Sequence, residues 1–316
     1  MTGRYTKLHS IFEKGISMTD LIIVGAGTAG LTAAIYGIRA GKSVLILEAK
    51  TYGGQIVNTP DIENYPGLAH VSGFDYATAL YEQATGLGAK FRNERALSVE
   101  DKGKTKIVRT RRHEYECRAV ILATGAKNRQ LGLDREEELV GKGISYCATC
   151  DGSFFKGQTV AVNGGGNTAL EDAAYLADIC QKVYLIHRRD QFRGDAADVE
   201  KLREKENVEF VLNASVSGLI GEGHLAGIVV KDKLTGNTRE IPVSGLFVAI
   251  GQEPDNQAFG NLVQLDPSGY IQAGEDCLTG TPGIYTAGDC RTKKVRQLTT
   301  AAADGAVAAL AACSEM

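Results

Sequence analysis

Two stretches of the chain show the same order of apolar and glycine-rich segments. Residues 21–24 form a short apolar run without alternation, which predicts a strand buried on both faces. A glycine-rich turn follows at once, then a helix rich in small residues, then a second apolar run at 44–47 that ends at Glu48. This order predicts a strand–helix–strand unit of about 30 residues.

A second copy of this unit begins near Thr159. Its predicted elements are a strand at 160–162, a glycine-rich turn, a helix at 170–179 and a strand at 183–186. The copies align without gaps, and the aligned turn positions are Gly25 with Gly164, Gly27 with Gly166 and Gly30 with Ala169. We interpret this as an internal duplication, which predicts an α/β protein with two Rossmann-like, three-layer domains.

The second domain is predicted to be inserted in the first. Two similar strand-to-turn segments are each followed by polar, turn-prone chain, near 126–129 and 252–256, and we predict that these are the linkers. The tail then returns to the first domain and closes with an alanine-rich helix at 298–313. The expected organisation is an arm at 1–17, a first domain at 18–127 and 256–316, and an inserted domain at 128–255.

Composition narrows the class of protein. The 316 residues suffice for about two domains, and a net charge of -3 argues against a general nucleic-acid binder. No apolar run reaches the length of about 18 residues that a membrane span needs. Seven cysteines, an odd and sparse number of which five are scattered, favour the cytoplasm over a disulfide framework. Residues 1–17 lack the apolar core of a secretory signal, so we expect a loose arm and a natural start at Met18.

Glycine is in excess, and turns at the predicted nucleotide sites account for part of this excess. The chain has 38 glycines where average usage of about 7% predicts about 22. A G-x-G-x-x-G turn directly after a strand lets a pyrophosphate approach backbone amides at a helix N-terminus. Glu48, at the end of the second strand, can accept hydrogen bonds from a ribose. The first copy therefore predicts a site for FAD or NAD.

The second copy differs at the position of that acid. His187 aligns with Glu48, and Arg188 and Arg189 follow it, with Arg193 close behind. A carboxylate would repel a 2′-phosphate, whereas arginines can bind one. The second copy therefore predicts a site for NADP(H).

Cys147 and Cys150 form a C-x-x-C pair that can be half of a zinc site, a redox dithiol or a coincidence. The sequence holds no second cysteine pair and no histidine pair at ligand spacing, so we predict no metal site. Two nucleotide modules on the same chain favour redox chemistry. Asp151 follows directly and can serve as a general acid or, alternatively, as a helix cap or turn residue.

In this order the motifs resemble those of the low-molecular-weight thioredoxin reductases, from about Thr19 to the C-terminus. The segments that carry the resemblance are 53–55, 63–67, 147–152, 187–193, 286–289 and 296–298. The basic loop at 187–193 places the chain in the NADPH-using branch. The predicted FAD contacts are Gly25, Gly27, Thr28, Ala29, Gly30, Glu48, Gly54, Gln55, Asn64, Thr124, Gly125, Gly288, Asp289, Arg296, Gln297 and Leu298. The predicted NADPH contacts are Gly164, Gly166, Asn167, Thr168, His187, Arg188, Arg189 and Arg193.

The resemblance also implies an activity. Electrons would pass from NADPH through FAD and a Cys147–Cys150 disulfide to the disulfide of thioredoxin. Cys150 would face the flavin, Cys147 would attack thioredoxin, and Asp151 would protonate the leaving thiolate. The family suggests a homodimer.

Two other functions stay open. The first is a related flavin-dithiol reductase or oxidase with another thioredoxin-fold partner, although an oxidase would not need the basic loop. The second is a nucleotide-binding redox sensor without catalysis, against which the dithiol with Asp151 argues.

Overall fold

The computed structural model describes residues 18–59 and 61–316, so the predicted arm lies outside the described residues. The chain divides into two compact units. The first contains the described residues up to Val57 together with Ser72–Ala126 and Pro254–Met316, and the second contains Asn58–Val71 and Lys127–Glu253. The segment Asn58–Val71 therefore groups with the second unit, although the chain on either side of it belongs to the first.

Strands and helices alternate along most of the chain. The strands are β1 (Thr19–Val24), β2 (Val44–Leu47), β3 (Lys90–Arg92), β4 (Ser98–Asp101), β5 (Lys106–Arg109), β6 (Glu114–Leu122), β7 (Ala126–Asn128), β8 (Ile144–Ser145), β9 (Thr159–Gly164), β10 (Lys182–Ile186), β11 (Val208–Val211), β12 (Ala214–Ile220), β13 (Gly227–Asp232), β14 (Thr238–Pro242), β15 (Gly245–Ala249), β16 (Gln252–Pro254) and β17 (Ile284–Thr286). The helices are α1 (Thr28–Arg39), α2 (Gly73–Gly86), α3 (Glu136–Leu139), α4 (Ala148–Asp151), α5 (Asn167–Ile179), α6 (Ala196–Arg203) and α7 (Leu298–Ser314).

The first unit is built on a seven-stranded sheet in the order β3-β2-β1-β6-β5-β4, with β17 paired to β6. β1 runs parallel to both β2 and β6. Ile23 of β1 packs with residues of α1 and α7 on one face, while Ile22 packs with Phe259 and its neighbours on the other. Burial on both faces explains why these strands are continuous apolar runs, and the two predicted strands of the first copy are confirmed.

The second unit repeats this arrangement with an added layer. Its five-stranded parallel sheet has the order β11-β10-β9-β15-β8, and β12, β13 and β14 form an antiparallel sheet. Val162 of β9 packs with residues of α5, whereas Ala161 packs with Ile228 of β13 on the opposite face. β9 lies between β10 and β15 as β1 lies between β2 and β6. The predicted α/β fold with two Rossmann-like units is confirmed.

Besides the two ends of Asn58–Val71, the chain passes between the units within β7 and within β16, and these two strands pair with each other as a two-stranded sheet. The amide of Arg129 donates to the carbonyl oxygen of Gly251 (3.0 Å), and the side chain of Gln252 donates to that of Asn128 (2.9 Å). Within the described part of the chain, no helix combines the length and apolar character that crossing a bilayer requires.

Candidate active site

The three positions of the first glycine-rich turn serve different purposes. A Cβ on Gly25, whose φ is +110°, would lie 2.2 Å from the carbonyl oxygen of Ala123, and one on Gly30 would lie 1.9 Å from that of Gly25. Gly27 is different, because the nearest described atom to its Cβ position is 3.9 Å away and its φ of -76° suits any residue. The fold itself requires Gly25 and Gly30, whereas Gly27 leaves space beside the turn for a ligand.

The second turn divides in the same way. A Cβ on Gly164 would lie 2.4 Å from the carbonyl oxygen of Ala249, but no described atom lies within 4 Å of the Cβ position of Gly166. The middle glycine of each copy thus leaves room where a pyrophosphate would approach backbone amides. A ligand at this position accounts for both glycines, since the surrounding protein does not.

The predicted FAD residues of the first unit gather around the start of α1. Glu48 accepts hydrogen bonds from the amides of Ala26 and Lys50, both at 2.8 Å, which holds its carboxylate beside the turn. The amide of Gly53 donates to the carbonyl oxygen of Ala26 (2.7 Å). A Cβ on Gly288 would lie 2.8 Å from the Cβ of Ala29. These contacts bring four separate parts of the sequence to one edge of the sheet.

Asp289 is the most informative of these residues. Its Oδ1 is buried without a hydrogen-bond partner among the described residues, and burial raises the pKa of the carboxyl group. A buried polar atom normally has a partner, so this oxygen fits a hydroxyl or amide of a bound ligand. Asp289 follows Gly288, whose amide donates to Asp304 Oδ2 (2.9 Å).

Several of the other predicted FAD residues have local roles as well. Gln55 donates to the carbonyl oxygen of Ala126. Arg296 stacks on Tyr270, 4.2 Å from the ring centre, and donates to the carbonyl oxygen of Asp289 (3.3 Å). The remaining predicted residues lie as follows: Thr28 begins α1 and is buried, Gly54 and Gly125 have positive φ, Gln297 caps α7 and Leu298 begins it.

Three residues that sequence reasoning missed shape this site. Asn256 is fully buried, and its Oδ1 accepts a hydrogen bond from Thr124 (2.7 Å). Arg291 and Asp304 form a buried pair through two 2.8 Å contacts. Their partners lie far away in sequence, so no local pattern could have indicated them. By contrast, Asn64 groups with the second unit, where it donates to the carbonyl oxygen of Thr149 (3.5 Å).

The basic loop of the second unit is tied to the second glycine turn. The amide of Arg193 donates to the carbonyl oxygen of Gly165 (2.7 Å). The side chains of Arg188, Arg189 and Arg193 are exposed, and among the described residues none of them pairs with a carboxylate. Unpaired guanidinium groups beside a phosphate-binding turn form a suitable site for a second phosphate.

His187 lies beneath this loop. Its ring is buried, stacks on Phe192 (5.0 Å between centres) and occupies the space where Gly165 would carry a Cβ, 2.1 Å away. Burial lowers the pKa of His187. The structure therefore places this residue as a support for the loop. Of the other predicted NADPH residues, Asn167 accepts from the amide of Asp195 (2.9 Å) and Thr168 is exposed at the start of α5.

Cys147 and Cys150 are joined by a disulfide at the N-terminal end of α4. Asp151 ends the same helix, and its two carboxylate oxygens differ. Oδ2 accepts a hydrogen bond from Ser145 (2.6 Å), whereas Oδ1 is buried with no partner in the described structure. Burial raises the pKa of Asp151. A carboxyl group next to a disulfide, with its pKa raised by burial, can act as a general acid in thiol exchange.

Comparison with known proteins identifies the same chemistry. The family model for pyridine nucleotide-disulphide oxidoreductases matches residues 19–305. Thioredoxin reductase from Peptoclostridium acidaminophilum is 41% identical over 92% of this chain and 94% of its own, and that from Bacillus subtilis is 40% identical over 92% of each. The solved structure of thioredoxin reductase from Streptococcus pyogenes superposes with a TM-score of 0.90 at 37% identity, covering 94% of this chain and 98% of that one.

The extent of these matches and the disulfide next to Asp151 support the same family assignment. The chain belongs to the pyridine nucleotide-disulphide oxidoreductase family and, within it, to the low-molecular-weight thioredoxin reductases.

Proposed function

We propose that this protein is an NADPH-dependent thioredoxin-disulfide reductase, which passes electrons from NADPH through FAD and the Cys147–Cys150 disulfide to the disulfide of thioredoxin. The observation that carries the proposal is that disulfide, which lies beside an acid, Asp151, whose Oδ1 is buried without a described partner. Relatives named thioredoxin reductase, similar over nearly their whole length, support thioredoxin as the substrate.

The first unit fits FAD. Gly27 leaves space at the turn for a pyrophosphate, and Glu48 keeps lone pairs for ribose hydroxyls beyond the two amides it binds. Asp289 offers an unpartnered oxygen to a polar group of the cofactor. These three residues, with Arg296 beside Asp289, would hold FAD in this unit.

The second unit fits NADPH. Gly166 leaves the equivalent space at the second turn. The arginines at 188, 189 and 193 supply the positive charge that a 2′-phosphate requires, and no described carboxylate competes for them. The unpaired arginines are the reason to propose NADPH in preference to NADH.

The residues around α4 suit thiol–disulfide exchange. When bound, FAD and NADPH supply the two electrons that open the Cys147–Cys150 disulfide. The Cys147 thiolate then attacks one sulfur of thioredoxin, a mixed disulfide forms, and the other thioredoxin sulfur leaves as a thiolate. Asp151 gives that thiolate a proton. The Cys150 thiolate attacks Cys147, which restores the enzyme disulfide and releases the second thioredoxin sulfur, and this sulfur takes its proton from solvent.

A turnover assay tests the proposal. The purified flavoprotein is mixed with NADPH and oxidised thioredoxin, and NADPH oxidation is followed for the wild type, Cys150→Ser and the control Cys313→Ser, which changes a free cysteine. We expect Cys150→Ser to keep the bleaching of flavin absorbance by NADPH but to lose thioredoxin reduction, while the control turns over normally. Full turnover by Cys150→Ser would overturn the assignment.

The same assay separates the alternative partners. A glutaredoxin-like protein and dissolved oxygen replace thioredoxin as electron acceptors in parallel reactions with the wild type. Rapid turnover with either one, and none with thioredoxin, would replace the proposal with a related reductase or an oxidase.

We further propose that the protein is a cytoplasmic homodimer. Five cysteines remain as free thiols, four of them buried, which is consistent with a reducing compartment. Tyr36, Val307 and Leu310 expose apolar surface on α1 and α7, two helices that pack together, and a second copy could cover it. Light scattering should give twice the chain mass of 33.6 kDa, and a monomer mass would exclude the dimer.

A further inference from the structure

Ser145, the last residue of β8, links the redox pair to Asp151. Its buried hydroxyl lies 2.6 Å from Asp151 Oδ2 and accepts the backbone amide hydrogen of Cys147 at 3.0 Å. The carbonyl oxygen of Cys147 is a more distant acceptor, at 3.2 Å. A serine hydroxyl has one hydrogen to donate, and the shorter contact, which lies within the usual O–H···O range while the other does not, identifies Asp151 as its acceptor.

This contact makes the two oxygens of Asp151 unequal. Oδ2 accepts from Ser145 and is therefore the oxygen that does not carry the acidic proton, whereas Oδ1 is buried and has no partner among the described residues. We propose that Ser145 is a positioning residue for the redox reaction: its hydroxyl holds Asp151 so that Oδ1 is the atom that carries the proton and gives it up. This inference rests on the proposed function.

The proton transfer balances without another reactant. The O–H bond at Asp151 Oδ1 breaks, and an S–H bond forms on the thiolate that leaves the substrate disulfide. Asp151 remains as a carboxylate, still bound by Ser145 through Oδ2. Nothing is oxidised or reduced in this step, because the electrons were transferred in the thiol–disulfide exchange that precedes it.

The proton must then be replaced, and Asp151 lines a cavity that can hold water. Ser145 and Asp151 both line a cavity of about 260 Å³, which is also bordered by Asp61, Ile144 and Phe154. This volume can hold several waters, each occupying about 30 Å³ in the liquid. Water in the cavity can return a proton to Asp151.

The hydrogen bond from Ser145 also has a predictable effect on titration. Burial raises the pKa of Asp151, and the hydrogen bond from Ser145 lowers it because it stabilises the carboxylate. The other ionisable groups near this acid include Asp61, which lines the same cavity. On α5, which packs against α4, they are the buried Asp172 and the exposed Tyr175, whose ring lies against Gly152. Loss of the Ser145 hydroxyl should therefore raise the pKa of Asp151 further and keep the acid protonated to a higher pH.

The test compares Ser145→Ala with Ser145→Thr and with Ser153→Ala. Ser153 is a matched control because it also donates to a carboxylate, Glu63 (2.8 Å), but is exposed. The measured quantity is the single-turnover rate at which reduced enzyme reduces thioredoxin, as a function of pH. We expect Ser145→Ala to lose about tenfold in rate at neutral pH, which is less than the loss caused by removing a general acid entirely. We also expect the alkaline limb of its pH–rate profile, where the rate falls as the acid loses its proton, to move to higher pH. Threonine keeps the hydroxyl and should restore both properties.

Several results would overturn the inference. One is that Ser145→Ala keeps both the wild-type rate and the wild-type pH–rate profile. Another is that Ser145→Ala is slower but its rate falls at the same alkaline pH as that of the wild type. The third is that Ser153→Ala shows the same changes as Ser145→Ala. Titration of the Asp151 carboxyl by ¹³C NMR gives a second readout that needs no turnover. If the wild type does not reduce thioredoxin, the proposed function fails. The titration still decides the hydrogen bond, because an equal Asp151 pKa in wild type and Ser145→Ala would exclude it.

Discussion

Replacing Arg188 and Arg189 with alanine should shift the coenzyme preference away from NADPH. Both side chains are exposed and make no ion pair with a described carboxylate, so their removal costs the fold little. The effect should fall on the ligand that carries a 2′-phosphate. NADH lacks that group and should be affected little.

The size of the effect follows from the exposure of these side chains. A hydrogen bond to a charged group contributes about 1.5–3 kcal/mol, and solvent reduces the value for exposed pairs to about 0.2–1 kcal/mol. Loss of two such contacts, each taken at about 1 kcal/mol, gives about 2 kcal/mol, or about 30-fold in kcat/KM for NADPH. The remaining Arg193 prevents complete loss of the preference.

The assay measures kcat/KM for NADPH and NADH in the wild type and the double variant, with thioredoxin saturating. Arg203→Ala is the matched control, because Arg203 is an exposed arginine of the same unit that pairs with Glu200 (3.4 Å) and stacks on Phe210. An unchanged ratio of the two kcat/KM values in the double variant would place the 2′-phosphate elsewhere. An equal loss of kcat/KM for NADPH in Arg203→Ala would show that the effect comes from the overall charge of the protein and not from these two positions.

Two further predictions concern the first unit. Gly30→Ala should destabilise the apoprotein in urea unfolding, because its Cβ would lie 1.9 Å from a carbonyl oxygen. Gly27→Ala should unfold like the wild type but retain less FAD after gel filtration. Full flavin occupancy in Gly27→Ala would contradict the pyrophosphate site. Asp304→Asn should lower the free energy of unfolding by about 3–5 kcal/mol at neutral pH, since it removes the buried carboxylate partner of Arg291 and leaves only the solvent-exposed Glu275 at 3.5 Å. Burial acts to raise the pKa of Asp304, but hydrogen bonds from its basic neighbours lower it overall, so its contribution is present above the unfolded value of about 3.9 and is lost as the pH falls through the folded value. The difference between wild type and Asp304→Asn should therefore narrow in acid, and a constant difference would exclude the charge interaction.

Features that depend on neighbouring residues were predictable from the sequence. A strand buried on both faces must be apolar at every position, so the central strands could be identified from their composition. The glycine at 30 avoids a clash with the backbone of Gly25 in the same turn, which the turn motif itself encodes, whereas Gly25 avoids a clash with the distant Ala123. Boundaries were less accurate, since α5 begins at Asn167, three residues before the predicted start at 170.

Features that depend on distant residues were not predictable. Asn256 bonds to Thr124 across 132 positions, and Arg291 pairs with Asp304 across 13. Ser145 is only six residues from Asp151, but a serine at this spacing has no distinctive pattern. Such partners become visible only when the fold brings their atoms together.

The role of a residue within a motif was also hidden. The sequence groups His187 with the arginines that follow it, because all four can be basic. Residue type and spacing do not show which way each side chain faces, and the structure buries His187 against Phe192 while the arginines remain exposed.

The stack of His187 on Phe192 has a consequence for how coenzyme choice can evolve. The shape of the loop is set by the stacked rings of His187 and Phe192 and by Gly165, against which the His187 ring packs. The charge of the loop is set by its three arginine side chains, which are exposed to solvent. Scaffold and selectivity are thus encoded at different positions. Substitutions at the three exposed positions, 188, 189 and 193, can therefore change which coenzyme the protein accepts without changing the conformation of the loop.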